Sequence, residues 1–191
     1  SEGTLVVANG GIDTHPASGR EKLNIPTMRP NLAYISVDGF LLDQVEPSHH
    51  HASVRHLSVR PDGLVGVAMQ WQGEVTSAPA LVATHLRGED MRAIGDGSGL
   101  NGYVGSIAFS GDGSRLAITS PRAGVAQVFD TTTGFVAFCV HEADICGVAA
   151  WSSGMIFTSG QGTVFDLVKG KLANAMHDLM WDNHLVKIKH A

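Results

Sequence analysis

The sequence predicts an all-β fold, a partial β-propeller of WD40/YVTN-like four-stranded blades amounting to about half of a seven- or eight-bladed ring. A hairpin recurs three times, as VRHLSVRPDGLVGVAMQW from Val54, VGSIAFSGDGSRLAITSP from Val104 and ICGVAAWSSGMIFTSG from Ile145. Each copy has a strand of alternating or small residues, a turn ending in Gly63, Gly113 or Gly154, and a second apolar strand. Those turns recur at the spacing of propeller blades, roughly 40–50 residues. Composition agrees, because 23 Gly and 7 Pro with only 6% aromatic residues suit many tight turns between short strands.

Residues 1–191 read as one partial propeller. TLVVANGG from Thr4 reads as a second strand without its first; LAYISVDG and FLLDQVE follow, giving an incomplete blade over 1–50 with a long loop at 10–30. The blade over 51–98 completes its hairpin with PALVATHLRG and MRAIG. The blade over 99–141 adds VAQVFDTTTG and FVAFCVH, and that over 142–178 adds GTVFDLVKG and the weaker KLANAMH. Asp62 and Asp112 are expected to cap the hairpin turns, and Asp130 and Asp166 each precede a turn ending in Gly134 or Gly170. WDNHLVKIK reads as the inner strand of a further blade over 179–191. Such an arc leaves strand edges that recruit partners. Either the strand from His184 returns beside Leu5, or two copies pair edge to edge as a homodimer.

A hydrophobic content of 43% with 16% charged residues is that of a folded chain. The net charge of −5, with no basic cluster, excludes nucleic acid as the main partner. No apolar run reaches the length of a membrane-spanning helix, so the chain is not read as membrane-embedded. Cys139 and Cys146 fall on an outer strand and on the next inner strand, too far apart to bridge, and they lack the paired CxxC spacing of a zinc site.

Strand order places the loops joining second to third strands, and one blade to the next, on one face. That face holds most of the chemistry-bearing residues, among them His15, Arg20, Asp144, Asp182 and Asn183. Superimposed repeats set His56, Ser106, Gly147 and His184 at equivalent positions near the axis, preceded by three residues by Ser53, Tyr103, Asp144 and Trp181. Imidazoles and a carboxylate there, His56, Asp144 and His184, could hold a transition metal or an anionic ligand; polar residues around a wet channel are the plainer reading. The tract from His49 to His51 resembles a metal-binding run, but consecutive loop residues cannot all aim at one ion, and a solvated loop explains them better.

The loop at 10–30 is too long for an ordinary hairpin connection. Pro16, Pro26 and Pro30 favour a fixed excursion, expected to pack over the channel entrance and bury Leu23, Ile25 and Met28. No GxSxG elbow, HExxH helix or GxGxxG strand-to-helix unit is present, and the Gly-rich GDGSGLNG from Gly95 reads as a blade-to-blade turn. The leading function is therefore non-enzymatic binding through one face. The alternatives are a lactonase-type propeller hydrolase whose channel metal activates water, or a purely structural scaffold.

On ANGGIDTHPASGREKLN, SVRHLSVRPDG, NGYVGSIAFSGDG, TSPRAG, DICGVA and WDNHL, the chain resembles the C-terminal half of a bacterial family of exported, propeller-like proteins of unknown function. The resemblance implies a periplasmic location and a link to iron uptake, since such proteins are often encoded beside imelysin-type components, and it assigns no residue a role; a protein or metal-bearing partner is the expectation for the loop face. The residues matching its motifs are Asn9, Gly10, Gly11, His15, Pro16, Arg20, Asn24, His56, Tyr103, Ser106, Asp144, Cys146, Asp182, Asn183 and His184. Asn9, His15, Arg20, Asn24, His56, Tyr103, Ser106, Asp144, Asp182, Asn183 and His184 form the candidate binding set.

Overall fold

The computed structural model describes residues 3–151, 154–186 and 188. Its strands follow one another as antiparallel meanders in four sheets. The first has three strands, β1 (Thr4–Asn9), β2 (Asn31–Ser36) and β3 (Leu41–Val45). Three four-stranded sheets follow. These are β4 (Ala52–Val59) to β7 (Arg92–Ile94) through β5 (Val65–Trp71) and β6 (Val82–His85); β8 (Ser106–Phe109) to β11 (Val136–His141) through β9 (Arg115–Ser120) and β10 (Val125–Asp130); and β12 (Ile145–Trp151) to β15 (Lys171–Met176) through β13 (Gly154–Ser159) and β14 (Thr163–Val168).

The middle strands read as apolar runs because each is covered on both sides by neighbouring sheets. Val65 to Met69 on β5 and Leu116 to Ser120 on β9 are buried without interruption. Alternate residues of β9 serve different interfaces. Leu116 and Ile118 join a core with Val65, Val67 and Leu32, whereas Ala117 joins Phe157, Phe165 and Leu167 of the last sheet. Sheet spacing is tight at Gly66, where a Cβ would stand 2.8 Å from Leu116 Cδ1. The outermost strands β3 and β15 are largely exposed.

The hairpin turns carry the expected caps. Asp62 Oδ1 accepts from Leu64 N at 3.3 Å and Asp112 Oδ1 from Ser114 N at 3.1 Å. Asp130 likewise accepts from Thr132 N and Thr133 N. Asp166 differs: it lies inside β14, paired with Ala173, and the hairpin turns later at Lys169 and Gly170, both at positive φ. Both cysteines are free, Cys139 exposed and Cys146 buried. No helix among the described residues is long and apolar enough to cross a membrane.

The inner strand expected over 179–191 is not formed by its described residues. The segment from His177 to Val186 belongs to no strand, and His184 takes a left-handed φ of 74°. An inner strand is held by the second strand of its own blade, and among the described residues no strand pairs with this segment. The segment instead crosses the last sheet: Gly162 lies against the carbonyls of His177 and Leu179, and Cys146 Sγ donates to Trp181 O at 3.5 Å.

Candidate functional site

The site is built where β4 begins and the long loop lands. At the root of the loop Asn9 Oδ1 accepts from Gly11 N at 3.0 Å. Gly11 has a φ of +68° and a Cβ there would meet Pro30 N at 2.5 Å, so the two ends of the loop touch. Asn24 ties them together, accepting from Asp13 N at 2.7 Å and donating to Gly11 O at 3.0 Å. His15 caps a short turn over Pro16–Ser18 by accepting from Ala17 N at 3.1 Å. Ser53 Oγ donates to Gly10 O at 2.8 Å and Lys22 Nζ to Gln72 Oε1 at 2.5 Å, which fixes the loop to the second sheet.

Of the three apolar loop side chains expected to be buried, Met28 is buried, Ile25 half-buried and Leu23 exposed. Leu23 lies on the outward rim with exposed Arg20 and Glu21. Hydrogen bonds through Asn24, more than apolar burial, order this loop.

Beside it, β4 carries a bulge. Val54 pairs with Met69 and His56 with Ala68, leaving Arg55 as the extra residue. Such an insertion bends the strand and re-aims side chains. Cys146 is the corresponding extra residue of β12, between Ile145 and Gly147. The His56 imidazole lies with its ring centroid 4.9 Å from that of His184, delivered by the crossing segment. Burial, then His184, then Arg55 push the His56 pKa down to about 4. Its Nε2 is buried without a hydrogen-bond partner among the described residues, as is Trp181 Nε1.

The remaining candidates stand apart. Tyr103 bridges Gln70 and lies under the Arg122 guanidinium, 4.3 Å from its ring centroid. Ser106 is buried opposite Thr119. Asp144, at a φ of 54°, is exposed and its carbonyl accepts from Gly160 N at 3.0 Å. Asp182 Oδ1 accepts from the neighbouring Asn183 N at 2.7 Å. Among the described residues no group of three His, Cys, Asp or Glu is placed to hold a metal ion. The expected set of His56, Asp144 and His184 is thus a histidine pair, because Asp144 turns at the β12 entry instead of joining it. Sequence reasoning passed over Arg55, whose only signal is its place beside His56 in a repeated strand start. The His51 ring, 5.7 Å from Trp71, likewise depends on contacts the sequence does not display.

Sheets arranged as successive four-stranded meanders, with their connecting loops gathered on one face, define an arc of a β-propeller. The chain belongs to the family described as protein of unknown function (DUF1513), which matches residues 1–188. No curated protein matches it. Among solved structures it is similar to Sqt1 of Saccharomyces cerevisiae, at a TM-score of 0.64 and 13% identity, covering 98% of this chain and 63% of that one. It is also similar to virginiamycin B lyase from Staphylococcus aureus, at a TM-score of 0.59 and 11% identity over 82% of this chain and 55% of the lyase. A chain of the mitotic checkpoint complex matches at a TM-score of 0.52 and 20% identity, over 73% and 44% of the two chains. The chain therefore spans about half the length of the lyase, and at these identities the likeness is one of fold.

Proposed function

We propose that this chain is a non-enzymatic binding propeller of the periplasm, serving iron uptake by presenting its loop face to a protein partner. The observation that supports this reading is the long loop. It is pinned by Asn24 and fastened to the second sheet through Ser53 and Lys22, yet it leaves His15, Arg20 and Leu23 exposed. A loop ordered before contact loses little further entropy on binding, so its exposed groups convert more fully into affinity. The periplasmic location and the iron theme rest on the family resemblance. The alternative, a propeller hydrolase using a channel metal, would draw on the paired imidazoles of His56 and His184.

The test is surface plasmon resonance of the full-length protein against a purified imelysin-type protein. Saturable binding that weakens by about tenfold or more in Arg20→Glu or Leu23→Asp supports the reading. Absence of binding, with or without iron, overturns it. Lactone turnover that rises on titration with ferrous, ferric, cupric or zinc ions would replace it with the hydrolase.

A further inference from the structure

We infer that Arg55, His56 and His184 form a binding site for a small oxyanion of carboxylate or phosphate type. The bulge at Arg55 sets that residue and His56 together opposite the single residue Ala68. The segment from His177 then brings a second imidazole against the first, 4.9 Å between centroids. His184 does so at a left-handed φ of 74°, a conformation a non-glycine residue adopts at a cost. The Arg55 guanidinium lies at the loop root, where a Cβ on Gly10 would come within 3.2 Å of its Cζ.

Three nitrogen-bearing side chains are thus collected with no carboxylate bonded to them among the described residues. The charges acting on His56 are His184 and Arg55, both of which disfavour its protonation. The carboxylates of the neighbourhood, Asp144 and Asp182, act on the Cys146 thiol instead. His56 Nε2 is buried and unpartnered, and three residues before His184 the Trp181 indole, which can only donate, is in the same condition. A buried donor without an acceptor is costly, and an oxyanion supplies acceptors and the missing countercharge together. This inference does not depend on a protein partner or on iron.

Isothermal titration of the full-length protein at pH 6 with inorganic phosphate, and separately with citrate, tests it and distinguishes the two sources of the chemistry. Binding of either is expected, with the His56 ring nitrogens shifting in imidazole NMR spectra as the anion is added. Loss of one charged hydrogen bond predicts that Arg55→Gln and His184→Gln each weaken binding about tenfold or more. His184 lies outside every strand, so its variant tests the site without disturbing a ladder, and His49→Gln, beside Trp71, should bind as wild type does. Absence of heat and of His56 shifts with both anions overturns the inference. So does binding that is indifferent to both Arg55→Gln and His184→Gln.

Discussion

Tyr34 and His85 share a hydrogen bond of 2.6 Å across the boundary between the first and second sheets, with both side chains buried. His85 Nε2 faces Glu89 O at 2.8 Å and must donate to it. That fixes the tautomer, so Nδ1 accepts from the Tyr34 hydroxyl. Burial, with Asp43 adding to it against Arg87, pushes the phenol up to about 12.

Tyr34→Phe removes the donor and strands His85 Nδ1 in the interior. The expected loss is about 1–3 kcal/mol of stability in urea unfolding. In the wild type, stability carried by the neutral phenol is present below pH 10 and lost as pH rises through about 12. Ultraviolet difference titration against Tyr34→Phe in which the Tyr34 phenol ionises near pH 10 would contradict this burial.

His56 gives the opposite dependence. In the unfolded chain it takes up its proton near 6.5, but in the folded chain only near 4. Between those values the unfolded state binds more protons, so stability falls as pH drops from about 6.5 toward 4. His56 is half-buried, and after screening the contribution is of order 1 kcal/mol. Unfolding measured at pH 7 and pH 4.5 should show a smaller pH dependence in His56→Gln than in the wild type. Equal dependence in the two proteins would refute the assignment.

The sheets were legible because their signals are local. Turns at Gly63 and Gly113, and apolar runs such as Val65 to Met69, repeat wherever a blade repeats. The closing segment was not, since WDNHLVKIK alternates as a strand does, yet alternation cannot supply the neighbouring strand it would pair with. Asp130 and Asp166 follow the same Val-Phe pair or its near copy, but only Asp130 caps a turn, because a tighter hairpin at Lys169 and Gly170 leaves Asp166 within β14. At the site, the loop residues Asn9, His15 and Asn24 could be chosen from their motif. The meeting of His56 with His184, and the bulge that adds Arg55, come from tertiary packing.

Asn24→Ala should release the long loop while leaving the sheets intact. It removes the acceptor for Asp13 N and the donor to Gly11 O, at a cost of about 1–2 kcal/mol confined to the loop. Faster hydrogen exchange at Asp13 and faster tryptic cleavage after Arg20 and Lys22 are the expected readouts. Unchanged cleavage would mean that the contacts of Gly10 with Ser53 and of Lys22 with Gln72 suffice to hold it.

The last prediction concerns the outer edge of β1. Beyond Thr4, β1 has β2 as its one strand partner among the described residues. A row of unpaired N–H and C=O groups recruits another strand unless charge or proline guards it. Leu5 to Asn9 carries neither, and on one face of the sheet Leu5 is 59% and Val7 39% exposed. Closure within one chain by a strand beginning at His184 is not what the structure shows, since His184 packs on His56 and its segment forms no strand. For the 191-residue chain we propose that a second copy pairs along this edge, since two half-rings related by a two-fold axis approach the seven or eight blades of a closed propeller. Light scattering at micromolar concentration should therefore report twice the chain mass. Leu5→Lys with Val7→Lys places two charges on the exposed face of this strand, opposite Ile35 and Ala33 of β2, and should return the protein to a monomer. A wild type that stays monomeric up to the highest soluble concentration, or a lysine double variant that dimerises as the wild type does, defeats the proposal.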